Sequence, residues 1–201
     1  MPVLKEQLDA AFSPGVVAVV GARKVDDYNW LRNMSDFKGK LYSVQIDPND
    51  IAGIEELGVP NYKSLVEIPE AVDYVVVAVP RRVVPFVLKD AIAKGVKTVH
   101  MFTSGFAESG SDEGVQAQEQ IAEMVQESGV LVIGPNCMGV FNPHVGMRFG
   151  AGQQVDNIGS ATVISQSGAH ASAMTQGLQA SGIGVNMSIS FGNAIMLDSP
   201  D

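Results

Sequence analysis

The sequence predicts an α/β fold built on a parallel, Rossmann-like sheet, and two patterns carry this prediction. Short runs of β-branched residues alternate with amphipathic stretches almost throughout, as in a parallel sheet that helices cover. Small and polar residues follow nearly every one of these runs, at the edge where an open parallel sheet binds its ligands. The 201 residues are enough for one domain, or for one domain and part of another.

Five runs are predicted to form the main strands of the first sheet. The third of them is apolar without alternation, which is typical of a strand that is buried on both faces. A shorter run is predicted to add a minor strand. The main strands are expected at residues 16–20, 41–46, 74–79, 98–102 and 130–133, and the minor strand at residues 59–62.

Helices are predicted between the strands. Residues 83–94 and 113–128 place apolar side chains at three- and four-residue spacing. Gly95 and Gly129 follow the last turns of these helices, a position that favours a left-handed cap. Residues 27–35 are also predicted to be helical.

A second unit is predicted beyond the first sheet. Periodicity disappears over residues 139–157, where a linker with one hairpin is expected, and a β-α-β unit follows. Such a unit buries too little surface to stand alone, so we expect the chain to be a fragment or to need a partner beyond about residue 158. The predicted divisions are a Rossmann-like domain at 1–141, a linker at 142–157, and the start of a second domain at 158–201. The regular structure of the first domain is expected to start at residue 13. The second domain is expected to begin with a strand at 161–165, a helix at 168–181 and a strand at 184–190.

Composition argues against several classes of protein. The net charge of −9 disfavours sequence-independent binding of nucleic acid, which needs clustered Lys and Arg. No apolar run approaches the roughly 20 residues that span a bilayer, and the first ten residues lack the apolar segment of a signal peptide. The single cysteine, Cys137, cannot form an internal disulfide, which predicts a cytoplasmic protein. No spacing of His or Cys predicts a metal site.

The tip of the first strand carries small and cationic residues. Gly21 belongs neither to a Gly-x-Gly-x-x-Gly fingerprint nor to a Walker A loop, which argues against the usual dinucleotide site and against a P-loop NTPase. Ala22, Arg23 and Lys24 follow. The two cations are placed either to face a phosphate or to lie in solvent.

Later strand tips also leave two interpretations open. Asp47 stands where an acid could accept a hydrogen bond from a ribose hydroxyl, but Asp-Pro is also a common turn at the end of a strand. Arg81 and Arg82 follow the third strand and could face a phosphate or lie at a solvated helix start. Cys137 is expected to be an inert, small apolar residue, and His170 to have a structural role.

Residues 164–168 form a stronger candidate for a phosphate site. A strand ends there in hydroxyl residues and a helix starts at once, so free N–H groups, a hydroxyl and the positive end of a helix converge. The alternative is a serine N-cap that binds no ligand.

Six segments in order resemble the α-subunit-like region of NDP-forming acyl-CoA synthetases, the group that includes succinyl-CoA synthetase and ADP-forming acetyl-CoA synthetase. The most distinctive segment is Ile-Gly-Pro-Asn-Cys-Met-Gly. The segments are residues 17–22, 68–73 together with 77–80, 103–108, 133–139, 164–169 and 190–193. The resemblance covers nearly the whole chain, and it implies a CoA-binding domain followed by the start of a flavodoxin-like domain.

The resemblance implies a role for each strand tip. The nucleotide end of CoA would lie near residues 21–24, the pantetheine would cross the other tips, and Asn136 and Cys137 would lie near the thiol. Cys137 would line the pocket rather than attack. The implied cofactor-binding residues are Gly21, Ala22, Arg23, Lys24, Asp47, Val79, Pro80, Ser104, Gly105, Asn136 and Cys137.

The resemblance also implies an acid–CoA ligase of the ADP- or GDP-forming type. In that family NTP phosphorylates a histidine, the phosphoryl group passes to a carboxylic acid, and CoA displaces phosphate from the acyl phosphate. Ser167 and Gly168 would start the helix that holds the phosphohistidine. The histidine itself would lie beyond residue 201, so the chain is not expected to be active alone. ATP or ADP with Mg would bind through an ATP-grasp domain or a β subunit, in an oligomeric assembly.

The sequence departs from the family's pattern in two places. His170 stands where the family has an aliphatic residue, and residues 23–28 lack the glycine that is often present in that loop.

A catalytically silent module that binds CoA or acyl-CoA for regulation is the second hypothesis. A nicotinamide-dependent oxidoreductase domain is the third, and the absence of the glycine fingerprint disfavours it.

Overall fold

The computed structural model describes residues 5–198 and contains two sheets. The first sheet has six parallel strands in the order β3-β2-β1-β4-β5-β6. This arrangement confirms the predicted Rossmann-like α/β fold. The strands are β1 (Val16–Val20), β2 (Lys40–Val44), β3 (Asn61–Tyr62), β4 (Tyr74–Val77), β5 (Thr98–Met101) and β6 (Leu131–Ile133).

Helices cover both faces of this sheet. The central strands β1 and β4 are apolar because they are buried on both sides, and Val17, Val19 and Val76 have no exposed surface. These helices are α1 (Lys5–Phe12), α2 (Asn29–Asn33), α3 (Pro48–Glu56), α4 (Val84–Lys94) and α5 (Asp112–Ser128). A further helix, α6 (Gly168–Ala180), packs on the second sheet. In residues 5–198 no helix is long and apolar enough to cross a membrane.

Two of these helices, α1 and α3, were not predicted from the sequence. Asp47 accepts a hydrogen bond from the backbone N–H of Asn49 and is the N-cap of α3, with Pro48 in the first turn. The Asp-Pro-Asn segment therefore starts a helix, and the preceding strand ends earlier, at Val44. Helix α2 is shorter than the predicted helix at 27–35, because Asp27 and Tyr28 adopt left-handed backbone angles.

The second sheet contains three strands in the order β7-β9-β8. Strand β7 (Gly139–Phe141) pairs antiparallel with β9 (Val185–Ser190), and β8 (Ile158–Ser165) pairs parallel with it. Residues 139–141, which the sequence assigns to the end of the first domain, thus pair with a strand of the second sheet. A three-residue strand is too short to show periodicity, and its partner lies more than 40 residues later in the chain.

The two sheets share one hydrophobic core. Leu131 and Ile133 of the first sheet belong to the same buried cluster as Phe141, Ala171 and Val185 of the second unit. Residues 142–149 form a turn that an antiparallel pairing of Asn142 with Met147 closes. This turn contacts the first unit through a hydrogen bond from the Lys38 N–H to the carbonyl oxygen of Val145 at 2.9 Å and through an ion pair between Arg148 and Asp36 at 2.5 Å. The α6 helix is therefore held in a defined position beside the carboxyl edge of the first sheet.

Candidate functional site

A groove of about 690 Å³ lies over the carboxyl end of β1. The end of β2 borders it on one side, and the start of α4 borders it on the other. Its floor is apolar, and charged side chains stand along its rim. The lining residues are Val20, Gly21, Arg23, Val44, Gln45, Ile46, Asp47, Asp50, Lys63, Leu65, Ala78, Val79, Pro80, Val83, Phe86, Val87, Lys89, Asp90 and Ala93.

Gly21 is required by the close packing of two strand ends. Its φ is +92°, and a Cβ at this position would lie 2.6 Å from Cγ1 of Val79 and 2.7 Å from the carbonyl oxygen of Ala78. The backbone of the first strand tip therefore reaches the wall of the groove without a side chain. Ala22 is buried, and its carbonyl oxygen accepts a hydrogen bond from Gln45 Nε2 at 2.8 Å.

Charged groups of both signs stand at the rim of the groove. Arg23 is half-exposed and lies 3.5 Å from Asp26 in an ion pair. The Lys24 side chain does not line the groove, but its backbone N–H donates to Asp50 Oδ1 at 2.8 Å. Asp47 lines the groove and also caps α3, so its side chain has a structural partner already.

Two further rim cations, Lys63 and Lys89, were missed by the sequence reasoning. Neither side-chain amine has a hydrogen-bonding or ion-pair partner within residues 5–198. Lys89 stands three residues after Phe86 on α4, and that helical spacing is the signal that could have identified it. The groove is therefore wider than the strand tips alone indicated, and it extends along α4.

The tips of β4 and β5 are held together by side-chain hydrogen bonds. Thr103 Oγ1 donates to the carbonyl oxygen of Val79 at 2.7 Å, and the Arg81 guanidinium donates to the carbonyl oxygen of Gly105. Arg81 therefore braces a neighbouring loop. Ser104 and Gly105 line neither the groove nor the cleft described next, and the same holds for Ala22 and Lys24.

A second, smaller cleft of about 330 Å³ lies between the two sheets. It contains four residues that the sequence had placed in two separate roles, Asn136 and Cys137 at the thiol end and Ser167 and Gly168 at the phosphate site. The complete lining is Phe102, Asn136, Cys137, Met138, Gln166, Ser167, Gly168 and Ala169. Residues that lie about 30 positions apart in the chain thus face one space.

Asn136 is held by its backbone at the edge of this cleft. Its φ is +58°, a left-handed conformation that Asn tolerates better than most residues, and its N–H donates to the carbonyl oxygen of Thr103 at 3.0 Å. Its side-chain Nδ2 donates to Asn193 Oδ1 at 3.4 Å. The turn at 134–136 is thereby fixed to both sheets.

Cys137 is buried next to His100. Burial raises the pKa of the Cys137 thiol, and burial lowers the pKa of His100 to about 4. His100 Nε2 lies 3.2 Å from the carbonyl oxygen of Cys137, so the neutral ring donates its Nε2 proton there. Both groups have the properties of structural residues, and the inertness of Cys137 stays a prediction.

Ser167 and Gly168 start α6 at the floor of the cleft. Ser167 Oγ accepts a hydrogen bond from the backbone N–H of His170 at 3.3 Å, as an N-cap does. A Cβ on Gly168 would lie 2.5 Å from Cγ of Met138. The first turn of a 13-residue helix thus directs its unpaired N–H groups and its positive end at the cleft.

Two further polar residues near the cleft were not predicted to have a role. Asn193 and Glu108 fell within recognised segments, but Asn193 bonds to Asn136 and to Glu108 across 57 and 85 positions in the chain, and no local pattern indicates such contacts. Within residues 5–198 no group of three or more His, Cys, Asp or Glu side chains could hold a metal ion.

The chain is similar to a family of known proteins and to several solved structures. Residues 16–143 match the family described as CoA binding domain. The chain is 32% identical over 198 residues to acetate–CoA ligase (ADP-forming) I of Archaeoglobus fulgidus, covering 96% of this chain and 28% of that protein. It is 34% identical to the α subunit of acetate–CoA ligase (ADP-forming) II of Pyrococcus furiosus, covering 96% of this chain and 42% of the subunit.

The structural comparison agrees with the sequence comparison. The dinucleotide-forming acetyl-coenzyme A synthetase 1 of Ca. Korarchaeum cryptofilum, in its apo form, superposes with a TM-score of 0.83 at 30% identity, over 96% of this chain and 41% of that one. The chain thus spans between about a quarter and two fifths of the relatives it matches. It belongs to the CoA-binding domain family and is similar in sequence and fold to the corresponding portion of NDP-forming acyl-CoA synthetases.

Proposed function

We propose that the chain binds coenzyme A along the carboxyl edge of the six-stranded sheet, with the nucleotide end in the groove and the thiol end in the cleft. The groove is apolar at its floor and cationic at Arg23, Lys63 and Lys89, which suits an adenine ring attached to phosphates. The adjacent tips of β4 and β5, at Val79, Pro80, Ser104 and Gly105, would support the pantetheine chain between the two ends.

One observation carries the functional part of this proposal: Asn136 and Cys137 share a cleft with Ser167 and Gly168. A thiol delivered to Asn136 would lie beside a helix start that suits a phosphoryl anion. This is the arrangement that acyl transfer from an acyl phosphate to a thiol requires. The sulfur attacks the acyl carbon, the bond from that carbon to the phosphate oxygen breaks, phosphate leaves with the electron pair, and the thiol proton passes to solvent.

The proposed reaction belongs to a larger protein or complex. We infer that the chain is the CoA-binding portion of an ADP- or GDP-forming acid–CoA ligase, because the ligases it resembles are two to four times as long. The phosphorylated histidine and an ATP-grasp domain or β subunit, which would hold ATP or ADP with Mg, would come from the remainder. The single buried cysteine supports a cytoplasmic location.

Calorimetric titration of the chain with CoA, and separately with NAD, tests the binding proposal. CoA should bind and NAD should not. Tighter binding of NAD, or no binding of CoA, would falsify it. Asn136→Ala should weaken CoA binding while the folded circular dichroism spectrum is kept, and an unchanged affinity would remove Asn136 from the site.

The ligase assignment has its own test in the full-length parent protein. Incubation with acetyl-CoA, ADP, phosphate and Mg should produce ATP and free CoA if the parent is a ligase. Binding of CoA without ATP formation, across a panel of short acyl-CoA substrates, would favour the silent regulatory module instead.

A further inference from the structure

Asn193 lies at the centre of a hydrogen-bonded network of side chains that reaches Asn136 at the cleft. Its Nδ2 donates to Glu108 Oε2 at 2.5 Å and to Gln118 Oε1 at 2.8 Å. Its Oδ1 accepts from Asn136 Nδ2 at 3.4 Å. This network joins the loop after β5, the helix α5, the second sheet and the turn that carries Asn136.

Glu108 determines the direction of every hydrogen bond in this network. Its other oxygen, Oε1, accepts from the backbone N–H of Gly105 at 2.5 Å and of Phe106 at 3.2 Å. Burial alone would raise the pKa of Glu108, but the hydrogen bonds from Asn193 and from these two N–H groups outweigh it, and the net pKa is lowered. An ionised carboxylate can only accept, so the Asn193 amide must present its NH₂ group to Glu108.

The direction of the Asn193 amide then fixes the direction of the Asn136 amide. Since both hydrogens of Asn193 Nδ2 are used, its oxygen faces Asn136 and accepts a hydrogen bond from Asn136 Nδ2. The Asn136 carbonyl oxygen, Oδ1, is then the end of that amide without a partner in residues 5–198, on a residue that lines the cleft.

We propose that Glu108 and Asn193 are positioning residues that set the hydrogen-bonding polarity of the cleft by holding Asn136 Oδ1 as an acceptor for a donor group at the thiol end of CoA. The donor is a pantetheine amide N–H or the thiol S–H. This inference rests on the proposed function, since it assigns a role to two residues that would not touch CoA themselves.

Glu108→Gln tests the direction of the hydrogen bonds with an isosteric change. The Gln side-chain oxygen can still accept from Gly105, which leaves its NH₂ group facing Asn193. Asn193 and then Asn136 must turn their amides, so that Asn136 presents NH₂ to the cleft. We expect CoA binding about tenfold weaker by calorimetry, the loss of roughly one hydrogen bond. The control is Glu119→Gln, the same change at an exposed position of α5, which should keep wild-type affinity.

A charge-exchanged pair separates positioning from a merely structural role. Asn193→Asp alone places two carboxylates against each other and should weaken CoA binding at least fivefold. In the double variant Glu108→Gln with Asn193→Asp, the Gln NH₂ group donates to the new carboxylate, which again accepts from Asn136 Nδ2. Gln118 can turn its amide to donate as well. The original direction at Asn136 is restored, and CoA affinity should return to within about twofold of wild type.

The outcomes distinguish this inference from the proposed function. Rescue in the double variant supports it. The positioning role is overturned, and CoA binding stands, if the wild-type chain binds CoA but the double variant loses as much CoA affinity as the two single variants lose together. The same conclusion follows if Glu108→Gln binds CoA with wild-type affinity. If the wild-type chain does not bind CoA, both the proposed function and this inference are overturned.

Discussion

Gly168 and Met138 are in contact across the junction of the two sheets, so closely that a Cβ on Gly168 would lie 2.5 Å from Cγ of Met138. Gly168 is the first residue of α6, and Met138 directly follows the Asn136-Cys137 turn. The width of the cleft between the Asn136-Cys137 turn and the start of α6 is therefore set by the absence of a side chain at Gly168.

Substitution of this glycine should open the junction. Gly168→Ala should lower the free energy of unfolding by about 1–3 kcal/mol, because the added methyl group overpacks the contact with Met138. The matched control is Gly177→Ala on the same helix, where a Cβ meets no atom within 4 Å. That change should raise stability by about 0.5–1 kcal/mol through helix propensity alone. Urea denaturation of both variants measures the difference, and a stabilised Gly168→Ala would contradict the packing argument.

Phe86 should contribute to CoA affinity and little to stability. Phe86 and Ile46 are 70% and 72% exposed, yet both line the groove, from opposite sides of the β1 tip. Because the ring is exposed, its removal should change the free energy of unfolding by no more than about 0.5 kcal/mol. Loss of its contact with a bound ligand should weaken CoA binding about tenfold. Met174→Ala on α6, an exposed apolar residue outside the groove, is the control. Equal calorimetric affinities for the Phe86→Ala variant and the wild type would place the ligand elsewhere.

Acid should destabilise the chain through His100. Burial lowers the pKa of His100 to about 4, whereas the unfolded chain takes up this proton near pH 6.5. The unfolded state therefore binds more protons between these values, and stability falls as pH falls, by roughly 3 kcal/mol over the full interval. Carboxylates with lowered pKa values, such as Glu70 and Asp73, lose their contribution only at lower pH, so the interval from pH 6.5 to 5 reports mainly on His100.

Two variants isolate this effect. His100→Gln can still donate to the Cys137 carbonyl oxygen from its side-chain nitrogen, and its free energy of unfolding should vary less with pH between 5 and 6.5. His170→Gln, at an exposed position of α6, should keep the wild-type slope. If urea denaturation gives the same slope for His100→Gln as for the wild type, another group is responsible.

Cys137 should be unreactive in the folded protein. It is 4% exposed, and burial raises the pKa of its thiol, so very little thiolate is present at neutral pH. Ellman's reagent should react with the native chain far more slowly than with the chain in denaturant. After incubation with acetyl-CoA, mass spectrometry should find no acyl group on Cys137. A native rate equal to the denatured rate, or an acyl adduct, would show that the cysteine is a nucleophile.

The local sequence determined the main strands of the first sheet and the helices α4 and α5 between them, but not α1 or α3. Residues 16–20 and 74–77 are continuous apolar runs, which only a strand covered on both faces can bury. The turn at Gly21 and the start of α6 at Gly168 were also readable, because capping and left-handed turns depend on a few adjacent residues. The recognised segments, in order, identified the family that residues 16–143 then matched.

Tertiary structure alone decided which of these turns meet. Asn136 and Ser167 lie 31 positions apart and share a cleft because the chain passes from β6 of the first sheet to β7, which pairs with β9 of the second sheet. Lys63 and Phe86 line one groove because β1 lies between β2 and β4 in the sheet. The Glu108–Asn193 hydrogen bond spans 85 residues. Such contacts leave no periodic trace in the sequence, since they arise from the stacking of whole elements and not from the preferences of neighbouring residues.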